Sequence, residues 1–403
     1  MFDKKMSQSV LQLGGAVAGA TSLAIRIKDQ LENEEVARAQ LVATCKTLLR
    51  TVQTPSENVQ DILYGPHMLS AARIALDAGW LKVVAKTKCI RAAEIAMRTK
   101  SDPKLVVRIL RLLVAGGLVD EIGINTYGPN ETTRLAVTDG LAAGILCASY
   151  EYAPTLASMP EYFKKYGYRI PERGEVSIYE HAHGKLLWQV IDSDPDREAS
   201  FHKYMAATRH GKKTWLDIFP MAGLLGHPPS EVLMVDVGGG LGHDLIAFAK
   251  KRAEIQLEGI LVLEDLPIVL KAVPESWTME FRKQSHDFFT PQPEPCLNAR
   301  LYNLKHILHA WPDVESSRIL THIRNAMRPS YSILLINELV LPDKDTSWHA
   351  ACYDISMLAC VNGKERTRSQ WRELVEGVRG LRVKSTWPIS HSGETLLEVV
   401  REA

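Results

Sequence analysis

From Val235 to Gly242 the chain reads Val-Asp-Val-Gly-Gly-Gly-Leu-Gly, and a second apolar run, 260–263, ends in Glu264-Asp265. Apolar residues 232–235 lead into the glycine-dense turn, and an apolar segment at 245–248 reads as the helix beyond it. Glycine allows positive φ and close approach of the backbone to a ligand. Free N–H groups at the helix start can meet an anionic ligand group. A carboxylate at the tip of the next strand can accept both hydroxyls of a ribose, so the two features together suit an adenosine-bearing cofactor. Asp287 and Lys305 follow at the ends of further strand-like segments and extend the pattern.

Such a site needs a parallel sheet to hold it. After residue 225 short apolar strands alternate with helices, as a sheet covered on both faces requires. Strands are expected at 233–237, 259–263, 301–303 and 333–338, with a closing antiparallel pair at 382–388 and 395–400 around His391-Ser392-Gly393. His227-Pro228-Pro229 marks the turn before the first of them. Three zones follow: 1–134, helical and dimerising; 135–225, helical and lining the substrate pocket; and 226–403, binding the cofactor.

In the first zone, residues up to about 50 read as helical, and Ser56 is expected to cap a restart after Thr54-Pro55. Helices at 68–78, 90–98 and from Asp102-Pro103 onward, then a hairpin with arms at 118–119 and 126–127, have the outline of a winged helix. Lys104, Arg108 and Arg111 share one side of the third helix, which is a DNA-binding signature. That helix is too apolar around its circumference to lie in a groove, so dimerisation is the better reading. Leu41, Leu48, Leu110 and Leu113 are expected on an apolar surface closed by a two-fold homodimer. The middle zone carries aromatics with polar tips, such as Tyr152, Tyr162, Tyr179 and Tyr204, which can be core or can line a pocket for an organic small molecule.

Composition narrows the class. A chain of 403 residues with 46% hydrophobic and 24% charged content is that of a soluble globular protein. A net charge of +1 gives no general reason to expect nucleic acid or an acidic membrane as partner. Six scattered cysteines show no metal-ligand spacing, so no metal is expected, and they read as thiols in a reducing, cytoplasmic setting. The stretch 10–25 is too short and too polar to span a membrane.

Six ordered segments resemble the S-adenosylmethionine-dependent small-molecule O-methyltransferases of plants and fungi. They are the Val-Asp-Val-Gly-Gly-Gly-x-Gly turn, Asp265-Leu266-Pro267, His286-Asp287-Phe288-Phe289, Leu308-His309-Ala310-Trp311-Pro312-Asp313, Glu338-Leu339-Val340-Leu341-Pro342 and Gly363-Lys364-Glu365-Arg366-Thr367. The resemblance implies a class I methyltransferase, an α/β Rossmann-like sheet at the C-terminus behind the N-terminal helical domain. It implies that Gly238, Gly239 and Gly240 approach the methionine end of S-adenosylmethionine and that Asp265 holds the ribose. It puts Asp287 and Phe288 at the adenine and Lys305 nearby. His309 matches the family's general base, and Glu338 and Glu365 match its flanking carboxylates. Phe201-His202-Lys203-Tyr204-Met205 is similar to the pocket helix, which places Met205, Thr208 and Arg209 at the substrate.

The chemistry is self-consistent. A phenol with pKa about 10 is protonated at neutral pH, and an imidazole within reach can take its proton as the oxygen attacks the methyl. One position departs from the family: Ala310 stands where Asp is usual after the histidine, and alanine cannot hydrogen-bond an acceptor. Two enzyme readings therefore stand. The first is methyl transfer to a hydroxyl of an aromatic or polyketide-like secondary metabolite. The second is a cofactor-binding dehydratase or pericyclase that transfers no methyl, with Lys305, His309, Thr208 and Arg209 as hydrogen-bond donors. A DNA-binding regulator using the cofactor site as a sensor is disfavoured by the near-neutral charge and the aromatic middle zone.

Overall fold

The computed structural model describes residues 8–172, 174–209, 213–225, 228, 231–390 and 393–402, without the side chains of Glu32, Asn33, Ala206 and Arg209. The turns expected at His227 and Pro229 and at His391-Ser392 lie outside the described residues. By contacts the chain divides into Met1–Gly65 and Pro66–Ala403. Among the described residues no helix is long and apolar enough to cross a membrane.

The first unit contains helices α1 (Gln8–Arg26), α2 (Lys28–Asn33) and α3 (Glu35–Val52), and the start of α4 (Pro55–Asp77). Helix α4 is continuous where a separate helix from 68 was expected, and its cap is Thr54, not Ser56. Thr54 N donates to Glu57 Oε2 at 2.7 Å, and Glu57 N donates to Thr54 Oγ1 at 3.3 Å. With Pro55 at the first helical position, this is a reciprocal cap earlier in the chain than expected.

The second unit begins with a small helical region. It holds α5 (Trp80–Ala85), β1 (Ile90–Arg91), α6 (Ala92–Thr99), α7 (Pro103–Ala115), β2 (Asp120–Gly123) and β3 (Thr126–Gly128). Asp102 caps α7 by accepting Lys104 N at 2.7 Å. Leu110 and Leu113, expected at a surface, are fully buried. Together with Val106 they form the inward stripe of α7 against Trp80, Leu81 and Ile95, so they offer nothing to a partner. Leu41 remains exposed. Helices α8 (Glu131–Ala136), α9 (Asp139–Cys147), α10 (Ala153–Tyr166), α11 (Ile178–His183), α12 (Leu187–Asp192) and α13 (Pro195–Arg209) then lead to the main sheet.

That sheet contains β4 (Val232–Val237), β5 (Ile260–Asp265), β6 (Arg282–Ser285), β7 (Leu301–Lys305), β8 (Ile333–Leu341), β9 (Arg366–Thr367), β10 (Leu381–Pro388) and β11 (Glu394–Arg401). Its order is β10-β11-β8-β7-β4-β5-β6, with β9 beside β8. Pairings from β6 to β8 are parallel, and β10–β11–β8 are antiparallel. Strand β6, the strand-like segment expected before Asp287 but given no bounds, has the sequence Arg-Lys-Gln-Ser without apolar residues, which an exposed edge strand can do without. In β8 alternate residues face two cores: Leu334 and Ile336 pack with α16 (Asp313–Ala326) and α18 (Arg368–Glu376), while Ile333 and Leu335 lie in the cluster with α14 (His243–Glu254) and α15 (Pro267–Lys271).

The chain leaves β4 toward β5 and later returns on the other side to β7, so the crevice at the strand ends beside β4 is where a ligand is expected. Just below it Asn303 Nδ2 donates to Asp236 Oδ1 at 2.7 Å, with both side chains buried. Asn303→Ala removes that donor from a buried carboxylate. It should lower the chemical-unfolding stability by about 1–3 kcal/mol, and an unchanged midpoint would show that this bond does not hold the crevice together.

Candidate active site

The glycine turn leaves β4 with Gly238 at φ 69°. A Cβ there would lie 2.7 Å from Ile307 Cδ1, and one on Gly239 would lie 2.4 Å from Asp236 Oδ2, so neither position has room for a side chain. The N–H groups of Gly238 and Gly239 donate to the Glu264 carbonyl at 2.8 and 3.1 Å. Gly240 N–H donates to Asp265 Oδ2 at 2.8 Å, and Leu266 N–H donates to Oδ1 at 2.7 Å. Burial pushes the Asp265 carboxyl up, partly offset by these two bonds. Each of its oxygens keeps accepting capacity for a hydroxyl.

Asp287 follows β6 and accepts Phe289 N–H at 3.0 Å. The Phe288 ring lies 3.5 Å from the position of a Gly238 Cβ and meets Phe289 edge-on, with centroids 5.0 Å apart. Lys305, at the end of β7, is committed to an ion pair with Asp244 in the first turn of α14, at 2.8 Å. On α13 the Thr208 hydroxyl donates to the Met205 carbonyl at 2.8 Å. The side chain of Arg209 lies outside those described. Tyr204 of the same helix hydrogen-bonds Tyr353 of α17 (Trp348–Val361), and burial raises its phenol to about 12.

His309 sits in a 3-10 turn, Leu308–Ala310, directly after β7. Its Nδ1 is 2.9 Å from Glu365 Oε1 and 3.8 Å from Glu338 Oε2, and both carboxylates are buried. Glu338 lies within β8, not at its end, and its Oε1 accepts the N–H groups of Ile307, Leu308 and His309 at 3.0, 2.8 and 3.4 Å. Burial alone would depress the His309 imidazole; Glu338 and Glu365 outweigh it and hold the ring up at about 9. Burial pushes the Glu338 carboxyl up, but His309, His306 and the Leu308 amide together hold it below its ordinary value.

The segment 363–367 explains its own residue types. A Cβ on Gly363 would fall 2.2 Å from the His309 carbonyl oxygen, so only glycine allows this approach. Lys364 N–H donates to that oxygen at 2.8 Å, and Glu365 N–H donates to Asp354 Oδ1 at 2.8 Å. Arg366 is fully buried and donates to the carbonyls of Leu308 and Trp311, each at 2.7 Å, and to Asp313 at 2.9 Å. Thr367 caps α18. In the sequence Arg366 stands only as part of a matching segment, without a role, and nothing there singles out His306 or Asp354. A charged residue beside the matched glutamate is the available signal for Arg366.

The O-methyltransferase domain family matches residues 164–380. This chain belongs to that family. O-methyltransferase penC of Penicillium thymicola is 32% identical over 381 residues, covering 94% of each chain. A solved structure of a LepI variant in complex with SAH and a substrate analogue superposes with a TM-score of 0.83, at 25% identity, over 98% of this chain and 100% of that one. A solved structure described as a pericyclic reaction enzyme gives a TM-score of 0.81 at 26% identity, over 95% and 100%.

S-adenosylmethionine is the cofactor of this methyltransferase family, and the residues present fit it. The glycine turn has no room for side chains on Gly238 and Gly239 and open space at Gly240, and Asp265 is half-buried at the tip of the adjoining strand with accepting capacity left. Asp265 would hold the ribose hydroxyls and Asp287 with Phe288 the adenine. Asp265→Ala should weaken S-adenosylmethionine binding by about 1.5–3 kcal/mol, read by calorimetric titration. Unchanged affinity would remove Asp265 from the site.

Proposed function

We propose that this methyltransferase moves the methyl group to a hydroxyl of an aromatic or polyketide-like secondary metabolite, with His309 as general base. The observation that carries this reading is the imidazole bracketed by Glu365 and Glu338. With Nδ1 occupied by Glu365, Nε2 is the nitrogen left to take the acceptor proton. The cofactor, when bound, supplies an electrophilic methyl on a sulfonium. The chain's own part is to receive the proton at Nε2, to stabilise the resulting imidazolium with two buried carboxylates, and to hold the acceptor in line. Kinship with penC supports an oxygen acceptor.

The same carboxylates set a pH dependence. With the ring held up at about 9, about one molecule in a hundred carries the free base at pH 7. The fraction rises tenfold per pH unit below that value, so the rate should climb toward pH 9 and level off above it.

A second reading rests on the same value together with Ala310. An imidazolium is a hydrogen-bond donor, which suits a rearrangement or dehydration assisted by His309 without methyl transfer. Lys305 and Thr208 are weaker donors for it, because both are already engaged within the protein. The proposal also includes a cytoplasmic two-fold dimer. Exposed Val10, Leu11, Val17, Leu41 and Leu49 in the first unit and six unpaired cysteines support it.

The deciding experiment supplies methyl-labelled S-adenosylmethionine with a panel of phenols and 2-pyridone-type alcohols. Label in the product, S-adenosylhomocysteine in equal amount, and a loss of about 10²–10⁴-fold in turnover for His309→Ala with near-normal cofactor affinity are expected. Conversion without label or by-product, retained by His309→Gln, would replace the first reading with the second.

A further inference from the structure

One oxygen of Glu338 faces His309 without a hydrogen bond of its own. Oε1 binds three backbone N–H groups, but Oε2 is buried and accepts no hydrogen bond. It lies between two imidazoles, 3.7 Å from His306 Nδ1 and 3.8 Å from His309 Nδ1. One donor atom from each of the three residues falls within 4.8 Å of the other two.

Donors bound tetrahedrally at zinc distances are about 3.3–3.5 Å apart. The two contacts to Oε2 therefore need to close by only a few tenths of an ångström. Two imidazole nitrogens and one carboxylate oxygen suit Zn²⁺ and its first-row neighbours, whereas Mg²⁺ and Ca²⁺ take oxygen shells. Three protein donors leave a fourth position for water or for Glu365, whose Oε1 is 2.9 Å from the same His309 nitrogen.

His306 supplies both access and support. Its side chain is 38% exposed, while Glu338 is sealed from solvent, so the ring forms the outer wall of the cluster. Its other nitrogen, Nε2, is 3.8 Å from Glu394 Oε1. A carboxylate behind the far nitrogen of a liganding imidazole fixes the ring and raises its basicity. The backbone at His306 is left-handed, φ 53°, which presents the ring at the end of β7.

We propose that His306, Glu338 and His309 form a binding site for a zinc-class divalent cation. Its occupancy silences the enzyme by taking Nδ1 of His309 away from Glu365. The binding stands on geometry alone; the silencing rests on the base role given to His309 above. The ion bonds to the Nδ1 lone pair, and the proton there moves to Nε2 or to solvent, with no change of oxidation state.

The test titrates the full chain with Zn²⁺ by calorimetry, without cofactor or acceptor, so a negative result speaks to the site and not to methyl transfer. The comparison variant is His306→Asn, because asparagine tolerates the left-handed backbone. Cys45, Cys89 and Cys352 are exposed thiols, so Co²⁺ is titrated in parallel for its spectrum. One equivalent of Zn²⁺, at least tenfold weaker binding by the variant, no response to Mg²⁺, and a Co²⁺ spectrum without a thiolate band are expected. No stoichiometric binding, equal affinity in the variant, or a thiolate band from the bound Co²⁺ would overturn the site.

Discussion

A buried carboxylate must be answered by donors or by a cation, and Glu338 is the group whose needs organise this site. Its Oε1 gathers three successive N–H groups from residues 307–309, which fixes the backbone that presents His309. Arg366 works from the opposite side, holding the carbonyls of Leu308 and Trp311. The turn is thus tied by its amides to β8 and by its carbonyls to the segment leading into β9. The imidazole has its Glu365 partner because Gly363 lets that segment press against the His309 backbone.

The His309 turn and the glycine turn form one packed unit. Ile307, two residues before His309, fills the space that a side chain on Gly238 would occupy, and Phe288 closes the same position from the β6 side. Gly240 is fastened to Asp265, which carries the turn's position across to β5. A displacement of either half is therefore felt by the other, as an in-line displacement reaction demands of the groups that align it. The parallel core beneath, with apolar side chains on both faces of β4 and β8, makes this arrangement stiff.

Much of this was legible in the chain. The glycine turn and the strands ending near Asp265 and Lys305 are read from residue types with local causes, and the segments around His309, Glu338 and Glu365 are picked out by the family resemblance. What stayed hidden has tertiary causes. Leu110 and Leu113 read as surface because nothing nearby in sequence shows that α5 and α6 pack over them. Strand β6 is polar and exposed, so no periodicity sets the bounds of the strand-like segment before Asp287. Lys305 reads as lying near the cofactor, and only the fold shows that Asp244, 61 residues away in the chain and at a helix start, pairs with its ammonium. His306 gained meaning only when the sheet brought Glu338 and Glu394 to its two nitrogens. Arg366 needed the fold to show which carbonyls it serves.

The central claim is that two buried carboxylates hold the His309 imidazole protonated and oriented. Nitrogen-15 NMR of histidine-labelled protein in chelator-treated buffer follows that ring directly. The account predicts a proton resident on Nδ1 and a titration near 9, falling toward the ordinary value of about 6.5 in Glu365→Gln. A His309 ring that titrates at or below about 6.5 in the wild-type protein would contradict it.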